Sequence, residues 1–149
     1  MKMKLRLRRG AALVESAFVI PVVVFLILAL YVGAAAIFRY QEVCYAAHEA
    51  ARYASVHGND YALETKSPAA TPQAVYDNAI KPRLMTLDPA RLTYSVSWDK
   101  NNSPVSVSAD YEKPVGNTVT VTVTYSWLPE LYLVGPITLT ASSTLPVTY

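Results

Sequence analysis

The stretch that decides the fold is residues 17–38, which read AFVIPVVVFLILALYVGAAAIF and contain no charged side chain. As a helix rising about 1.5 Å per residue, this run would extend about 33 Å, close to the roughly 30 Å hydrocarbon thickness of a bilayer. The first ten residues carry five basic side chains and no acid: Lys2, Lys4, Arg6, Arg8 and Arg9. Cytoplasmic flanks of membrane helices are enriched in Lys and Arg. The pattern therefore predicts a single-pass helix whose N-terminus is cytoplasmic and whose C-terminal part lies outside.

The charge of the chain is unevenly distributed. Its 149 residues carry 13 Lys and Arg against 11 Asp and Glu, a formal net charge of +2. Because five of the basic residues lie in the first ten positions, everything after Gly10 has a net charge of −3. A nucleic-acid-binding domain carries its positive charge on a folded face, which a basic tip on an acidic body does not provide. We therefore predict the lipid bilayer, and not nucleic acid, as a partner.

The N-terminal edge of the apolar run contains one carboxylate. Residues 8–21 read RRGAALVESAFVIP, in which Glu15 and Ser16 directly precede the charge-free stretch. Placing a carboxylate near hydrocarbon is energetically costly, and this makes Glu15 a candidate functional residue. The alternative is that Glu15 lies at the level of the lipid headgroups and reaches water.

The same block resembles the leader of type IV pilin-like proteins, in which a short basic peptide and a Gly precede an apolar helix with Glu at its fifth position. The resemblance implies that a prepilin peptidase cleaves between Gly10 and Ala11 and leaves the helix on the mature subunit. It also implies that the new ammonium group of Ala11 pairs with Glu15 of a neighbouring subunit. An Ala-x-Ala sequence at 34–36 offers another route, cleavage by ordinary signal peptidase with release of a soluble protein.

Helical periodicity continues beyond the apolar run. One apolar stripe recurs at helical spacing and is formed by Tyr40, Val43, Cys44, Ala47, Ala51 and Ala54. Gly58-Asn59 is a typical helix stop. We therefore predict a basic leader over residues 1–10 and one transmembrane and stem helix over residues 11–58. Small side chains let helices approach closely, so we predict helix packing at Gly33, Ala47, Ala51 and Ala54.

Residues 59–149 predict an extracytoplasmic α+β domain. Residues 60–71 are polar and favour a loop, and Thr71-Pro72 favours the start of a short helix that ends near Lys81. Apolar and hydroxyl side chains then alternate in four runs, at residues 92–98, 105–109, 118–127 and 137–142. This period of two predicts a four-stranded antiparallel sheet with one apolar face, packed on the helices, and one face lined with hydroxyl groups.

The sequence contains no recognisable catalytic or cofactor-binding motif. No Gly-rich phosphate loop follows a strand, and both histidines, His48 and His57, lie on the predicted stem. Cys44 and His48 share a helical face, but two ligands are too few for a metal site. Cys44 is the only cysteine, and we interpret it as a packing residue, with an intersubunit disulfide as the alternative. We predict no enzymatic activity, no metal, no cofactor and no small-molecule substrate.

Two blocks together resemble the TadE-like family of the tight-adherence (Tad) pilus system. They are residues 9–21 and the later sequence AAHEAARYA at 46–54, which is similar to the family's Ala-Ala-Arg-x-Gly-Ala-Arg-Tyr-Ala. His48 and Ala50 stand where Arg and Gly are commoner in the family.

This resemblance implies a minor pilin-like structural or assembly subunit that acts in cell adhesion or secretion. It further implies residence in the bacterial inner membrane, with a prepilin peptidase and other pilin-like subunits as partners. The alternative is an uncleaved, signal-anchored protein whose sheet domain binds an extracytoplasmic ligand or envelope partner without polymerising.

Overall fold

The structure of the protein is a computed structural model that describes residues 4–106, 115–129 and 135–149. Its elements in chain order are α1 (Lys4–Val56), α2 (Asn59–Thr65), α3 (Pro72–Val75), β1 (Leu92–Trp98), β2 (Val105–Ser106), β3 (Val115–Gly116), β4 (Thr118–Trp127) and β5 (Ile137–Pro146). The chain divides into two compact units between Ile37 and Phe38. The predicted combination of a long apolar N-terminal helix with a small domain containing an antiparallel sheet is confirmed.

The N-terminal helix is continuous across the whole apolar run. α1 passes through Pro21 without a break and ends at Val56, two residues before Gly58. Within the described residues, α1 is long and apolar enough to cross a membrane. No residue of its most apolar 18-residue stretch is buried. A core helix of a soluble domain would bury one face. The helix is therefore consistent with a single-pass membrane anchor.

Within the C-terminal unit, α1 presents a buried stripe of mostly alanine side chains. The buried positions follow the i, i+3, i+4 spacing of one helical face, and they are Val43, Ala46, Ala47, Ala50, Ala51 and Ala54. Tyr40, at the start of the predicted stripe, is 43% exposed, so the buried face begins only at Val43. Because the side chains are so small, the helix backbone can lie close to whatever covers this face.

A three-stranded antiparallel sheet forms a second part of the core, beside buried residues of the segment that follows α1, such as Val75 and Ile80. β4 is central, and its neighbours are β1 (Leu92↔Tyr125 to Trp98↔Val119) and β5 (Thr118↔Pro146 to Trp127↔Ile137). One face of β4 is buried along its entire length, through Val119, Val121, Val123, Tyr125 and Trp127. The opposite face carries hydroxyl groups that pair across strands, such as Thr120 with Thr144 at 2.9 Å. The predicted division into an apolar face and a hydroxyl face is confirmed.

Contacts at both ends of the α1 segment that belongs to the C-terminal unit show its direction on this sheet. The Arg39 guanidinium lies over the ring of Trp127, 5.3 Å from its centroid, at the end of β4. Further along the helix, the Ser55 hydroxyl donates to the carbonyl of Pro146, which pairs with Thr118 at the start of β4. This part of α1 therefore runs antiparallel to β4 and covers its apolar face.

The prediction of a fourth strand in the sheet is wrong. Of the run at 105–109, Val105–Ser106 forms a strand that pairs with Val115–Gly116 in a separate two-stranded ladder, and residues 107–109 lie outside the described residues. The physical reason is the register of the main sheet. Because Trp98 pairs directly with Val119, the residues between them form the connection of a β1–β4 hairpin. The described part of the alternating run, Val105–Ser106, lies inside that connection and pairs with its other end.

The segment between α1 and the sheet is more helical than its composition indicates. The prediction of a loop over residues 60–71 is wrong for its first half, because Asn59–Thr65 is helical and ends where Lys66 adopts a left-handed conformation with φ of 55°. The predicted helix at Thr71-Pro72 is confirmed, with the Thr71 hydroxyl accepting from the amide of Ala74 at 3.2 Å. It continues as a π turn at Tyr76–Ile80 and a 3-10 turn at Lys81–Arg83.

The residues after β5 bind the end of α1. The Thr148 amide donates to the Ser55 carbonyl at 2.9 Å, and the Gly58 amide donates to the Tyr149 backbone oxygen at 2.8 Å. The Val147 amide donates to the Asn117 carbonyl at 2.9 Å. These bonds join the last strand to the stem helix and the β3–β4 junction.

Candidate assembly surface

No described residue of this chain covers the apolar half of α1. Its large side chains are exposed on every side of the helix, with exposed fractions of 73% for Leu13, 75% for Phe18 and 74% for Leu30. A helix that is apolar all round is stable only when lipid or other apolar helices surround it. This surface is therefore the one that a bilayer or neighbouring subunits would cover.

Glu15 is the only acidic residue that precedes Glu42 in the sequence. Its side chain is exposed and makes no ion pair with the described residues. Side chains on a helix lean towards its N-terminus, so the carboxylate is directed towards the turn that contains Ala11 and Ala12. The predicted cleavage site lies one turn away, because Gly10 and the backbone of Ala11 are also part of α1.

The four predicted packing residues fall into two groups. A Cβ atom added at Gly33 would meet nothing within 4 Å, so this position is open to a neighbouring helix. Ala47, Ala51 and Ala54 are buried inside the C-terminal unit with exposures of 1% or less. Any contact between subunits through α1 therefore has to use residues outside the buried stripe.

Glu42 joins the stem helix to the loop that precedes the sheet. Its carboxylate accepts hydrogen bonds from the amides of Met85 and Thr86 and from the Thr86 hydroxyl. Burial alone would raise the pKa of Glu42, but the bonds from Thr86, Met85 and Leu87 favour the ionised form and lower the pKa below 4.5. No local sequence pattern indicates this contact, because Met85 lies 43 residues further along the chain than Glu42.

This contact makes the domain more acid-sensitive than it would otherwise be. Because the folded pKa of Glu42 is lowered, its stabilisation is present above about pH 4.5 and is lost as the pH falls through the folded value. We expect Glu42→Gln to be less stable than the unmodified chain at pH 7, with a difference that shrinks below pH 4.5. Urea unfolding of the full chain in detergent at several pH values measures this. Glu64→Gln, on the exposed side of α2, is the control and should show no such dependence.

A hollow of about 450 Å³ lies beside Glu42. It is lined by Phe38, Gln41, Glu42, Tyr45, Pro82, Arg83 and Met85. The Arg83 guanidinium lies 5.5 Å from the centroid of the Tyr45 ring and also pairs with Glu49 at 3.2 Å. Across residues 4–106, 115–129 and 135–149, no three His, Cys, Asp or Glu side chains are grouped so that they could hold a metal ion. Arg83 therefore makes both a ring contact and an ion pair beside this hollow.

The sequence from the predicted cleavage site through most of the alanine stripe is similar to a known protein family. Residues 10–52 match the model of the TadE-like protein family. The predicted resemblance to the TadE-like family is confirmed. The comparison with curated proteins and the comparison with solved structures gave no match.

The TadE-like match covers one well-defined part of the structure. It includes Gly10, Glu15, the exposed apolar helix and the stem as far as Arg52, and it ends before α2 and the sheet. TadE-like proteins are structural components of Tad pilus systems, and the match supports a pilus-associated, pilin-like subunit. It also favours association with other pilin-like subunits.

Proposed function

We propose that the protein is a minor pilin-like subunit of a Tad-type pilus, processed by a prepilin peptidase after Gly10 and active in adhesion or secretion. The observation that carries this proposal is the exposed apolar half of α1, within the segment that matches the TadE-like family. Residues 1–10 act as the leader, residues 11–58 as the transmembrane and stem helix, and residues 59–149 as the extracytoplasmic domain. The five basic residues of the leader favour a cytoplasmic N-terminus in the inner membrane.

The exposed helix supplies the means of association. Lipid tails are as apolar as leucine, so helices associate in a membrane through close packing and polar contacts rather than through the hydrophobic effect. Gly33 and the following alanines offer a small-residue patch that is open to a neighbour. The alanine stripe at Ala47, Ala51 and Ala54 holds the sheet on the stem instead.

Leader removal would create the second charge that assembly needs. Cleavage after Gly10 leaves an ammonium group on Ala11, one helical turn from Glu15. In a filament or a membrane complex, the ammonium of one subunit and the Glu15 carboxylate of the next would neutralise each other. Two groups that are each costly in an apolar environment then form one charge-assisted pair.

Processing can be tested without disturbing the fold. We expect the mature protein to begin at Ala11, as read by N-terminal sequencing and intact mass of membrane-extracted protein. Gly10→Leu should block cleavage but leave the helix unchanged, because a Cβ atom at Gly10 meets nothing within 4 Å. Gly33→Leu is the matched control, since Gly33 is equally open and far from the cleavage site.

Two other N-termini would contradict the proposal. A chain that begins at Met1 would indicate the uncleaved, signal-anchored protein. A chain that begins at Ile37 would indicate ordinary signal peptidase and a soluble product.

A further inference from the structure

We propose that Asn101 is an acceptor site for an N-linked glycan. Asn101-Asn102-Ser103 has the pattern Asn-x-Ser with a residue other than proline in the middle, which is the acceptor pattern for this modification. The inference rests on the proposed topology, because the donor glycan and its transferase work outside the cytoplasm. It is independent of leader cleavage and of filament assembly.

The structure distinguishes Asn101 from every other asparagine in the chain. The amide nitrogens of the other four each donate to a described acceptor: Asn59 to the Ser103 hydroxyl, Asn78 to the Ala74 carbonyl, Asn102 to the Ala70 carbonyl, and Asn117 to Asn101 and Ser103. The Nδ2 atom of Asn101 has no hydrogen-bond partner among the described residues. None of the other four asparagines is followed by Ser or Thr at the second position. The sequence pattern and the free amide nitrogen therefore point to the same residue.

The surroundings of Asn101 are suited to a large substituent. Asn101 is exposed and lies in the turn that follows β1, whereas Asn117, its hydrogen-bond partner, is fully buried. The bond between them uses the Oδ1 atom of Asn101 as the acceptor. A glycan on Nδ2 leaves that oxygen in place, so modification would not deprive the buried Asn117 amide of its partner.

The reaction requires a donor of defined chemistry, a glycan linked to a polyprenyl diphosphate. The Nδ2 atom of Asn101 forms a bond to the anomeric carbon of the sugar and loses one proton. The bond between the anomeric carbon and the diphosphate oxygen breaks, and the diphosphate leaves with the electron pair and takes up the proton through the enzyme's base. No oxidation or reduction occurs.

The test uses the full chain in cells that supply an oligosaccharyltransferase and a polyprenyl-diphosphate glycan of known mass, and that glycosylate a reference acceptor. Intact mass and peptide fragmentation should show one glycan on Asn101. Ser103→Thr should keep the modification, and Ser103→Ala should lose it. Ser103→Ala retains Asn101 and the backbone carbonyl that Asn117 binds, but it removes the hydroxyl that accepts from Asn59. Asn59→Ala loses that same hydrogen bond, keeps the acceptor pattern and should keep the glycan, so it is the control for a rearranged turn. Asn78→Gln, at an exposed asparagine outside the pattern, should keep the glycan.

A phosphatase reporter fused after Tyr149 separates the possible failures. An active reporter outside the cytoplasm together with an unmodified Asn101 would overturn the glycan site and leave the proposed topology standing. A reporter that is active only in the cytoplasm would overturn both. If the Ser103→Ala variant and the chain with its original sequence carried the glycan to the same extent, the assignment would also be overturned.

Discussion

Glu15→Gln is expected to reduce subunit association by about two to three and a half orders of magnitude while leaving the membrane level and leader removal unchanged. Removing one partner from a desolvated charge pair leaves the other charge unpaired, at a cost of about 3–5 kcal/mol. Every 1.4 kcal/mol is about a tenfold change in an equilibrium constant. Insertion should not suffer, because an amide is easier to place near hydrocarbon than a carboxylate. The measurement is co-purification of differently tagged copies, quantified alongside membrane level and N-terminal mass.

Two further variants isolate the charge of Glu15 from its position. Glu15→Asp retains the carboxylate and should recover most of the association, although its shorter side chain reaches less far. Ser16→Ala, at the next position of the helix, should associate normally. If Glu15 instead reaches the lipid headgroups, Glu15→Gln would be silent in all three assays, and the charge-pair mechanism would be abandoned.

The sequence was sufficient for elements whose pattern is long and regular. α1 follows from a charge-free run and a helical stripe, and β4 follows from ten residues that alternate between hydroxyl or polar side chains and apolar ones. Local alternation does not identify a strand's partner, however. The run at 105–109 has the same pattern as β1, yet its described residues pair with Val115–Gly116 because the β1–β4 register encloses them.

The alanine stripe shows the same limit for helices. Spacing indicated that Ala47, Ala51 and Ala54 would be packed, but spacing carries no information about what covers them. The structure covers them within the C-terminal unit, on the face that lies against the sheet. Gly33, in contrast, is open, and its packing against a helix of another subunit stays a prediction.

The residues of the candidate site also differ in how far the sequence alone predicts them. Gly10, Ala11 and Glu15 could be named from sequence because a short, contiguous block carries them. Glu42 and Gly58 could not, because their partners lie far along the chain: Met85 contacts Glu42, and Tyr149 contacts Gly58. Gly58 could be recognised only as a helix stop, and the close approach of two other backbone segments is visible only in the folded chain.

Gly58 is the position at which a single methyl group should have the largest effect on folding stability. Its φ of −78° and ψ of −162° are available to any residue, so the requirement for glycine is one of space. An added Cβ atom would collide with the Tyr149 backbone oxygen and lie 2.9 Å from the Asn102 carbonyl oxygen. Both of these oxygens accept backbone hydrogen bonds here, from the amides of Gly58 and Asn59. Relief of the collision therefore has to lengthen or break those bonds.

We expect Gly58→Ala to lower the free energy of unfolding by about 2–4 kcal/mol. Overpacking costs about 1–3 kcal/mol, and each lost hydrogen bond costs about 1 kcal/mol. Gly135→Ala is the matched control, because an added Cβ atom there meets nothing within 4 Å, and its effect should stay within about 0.5 kcal/mol. Urea unfolding of the full chain in detergent, followed by the fluorescence of Trp98 and Trp127, measures both variants. Equal stabilities for the two would show that the close approach of Tyr149 and Asn102 does not limit the side chain at position 58.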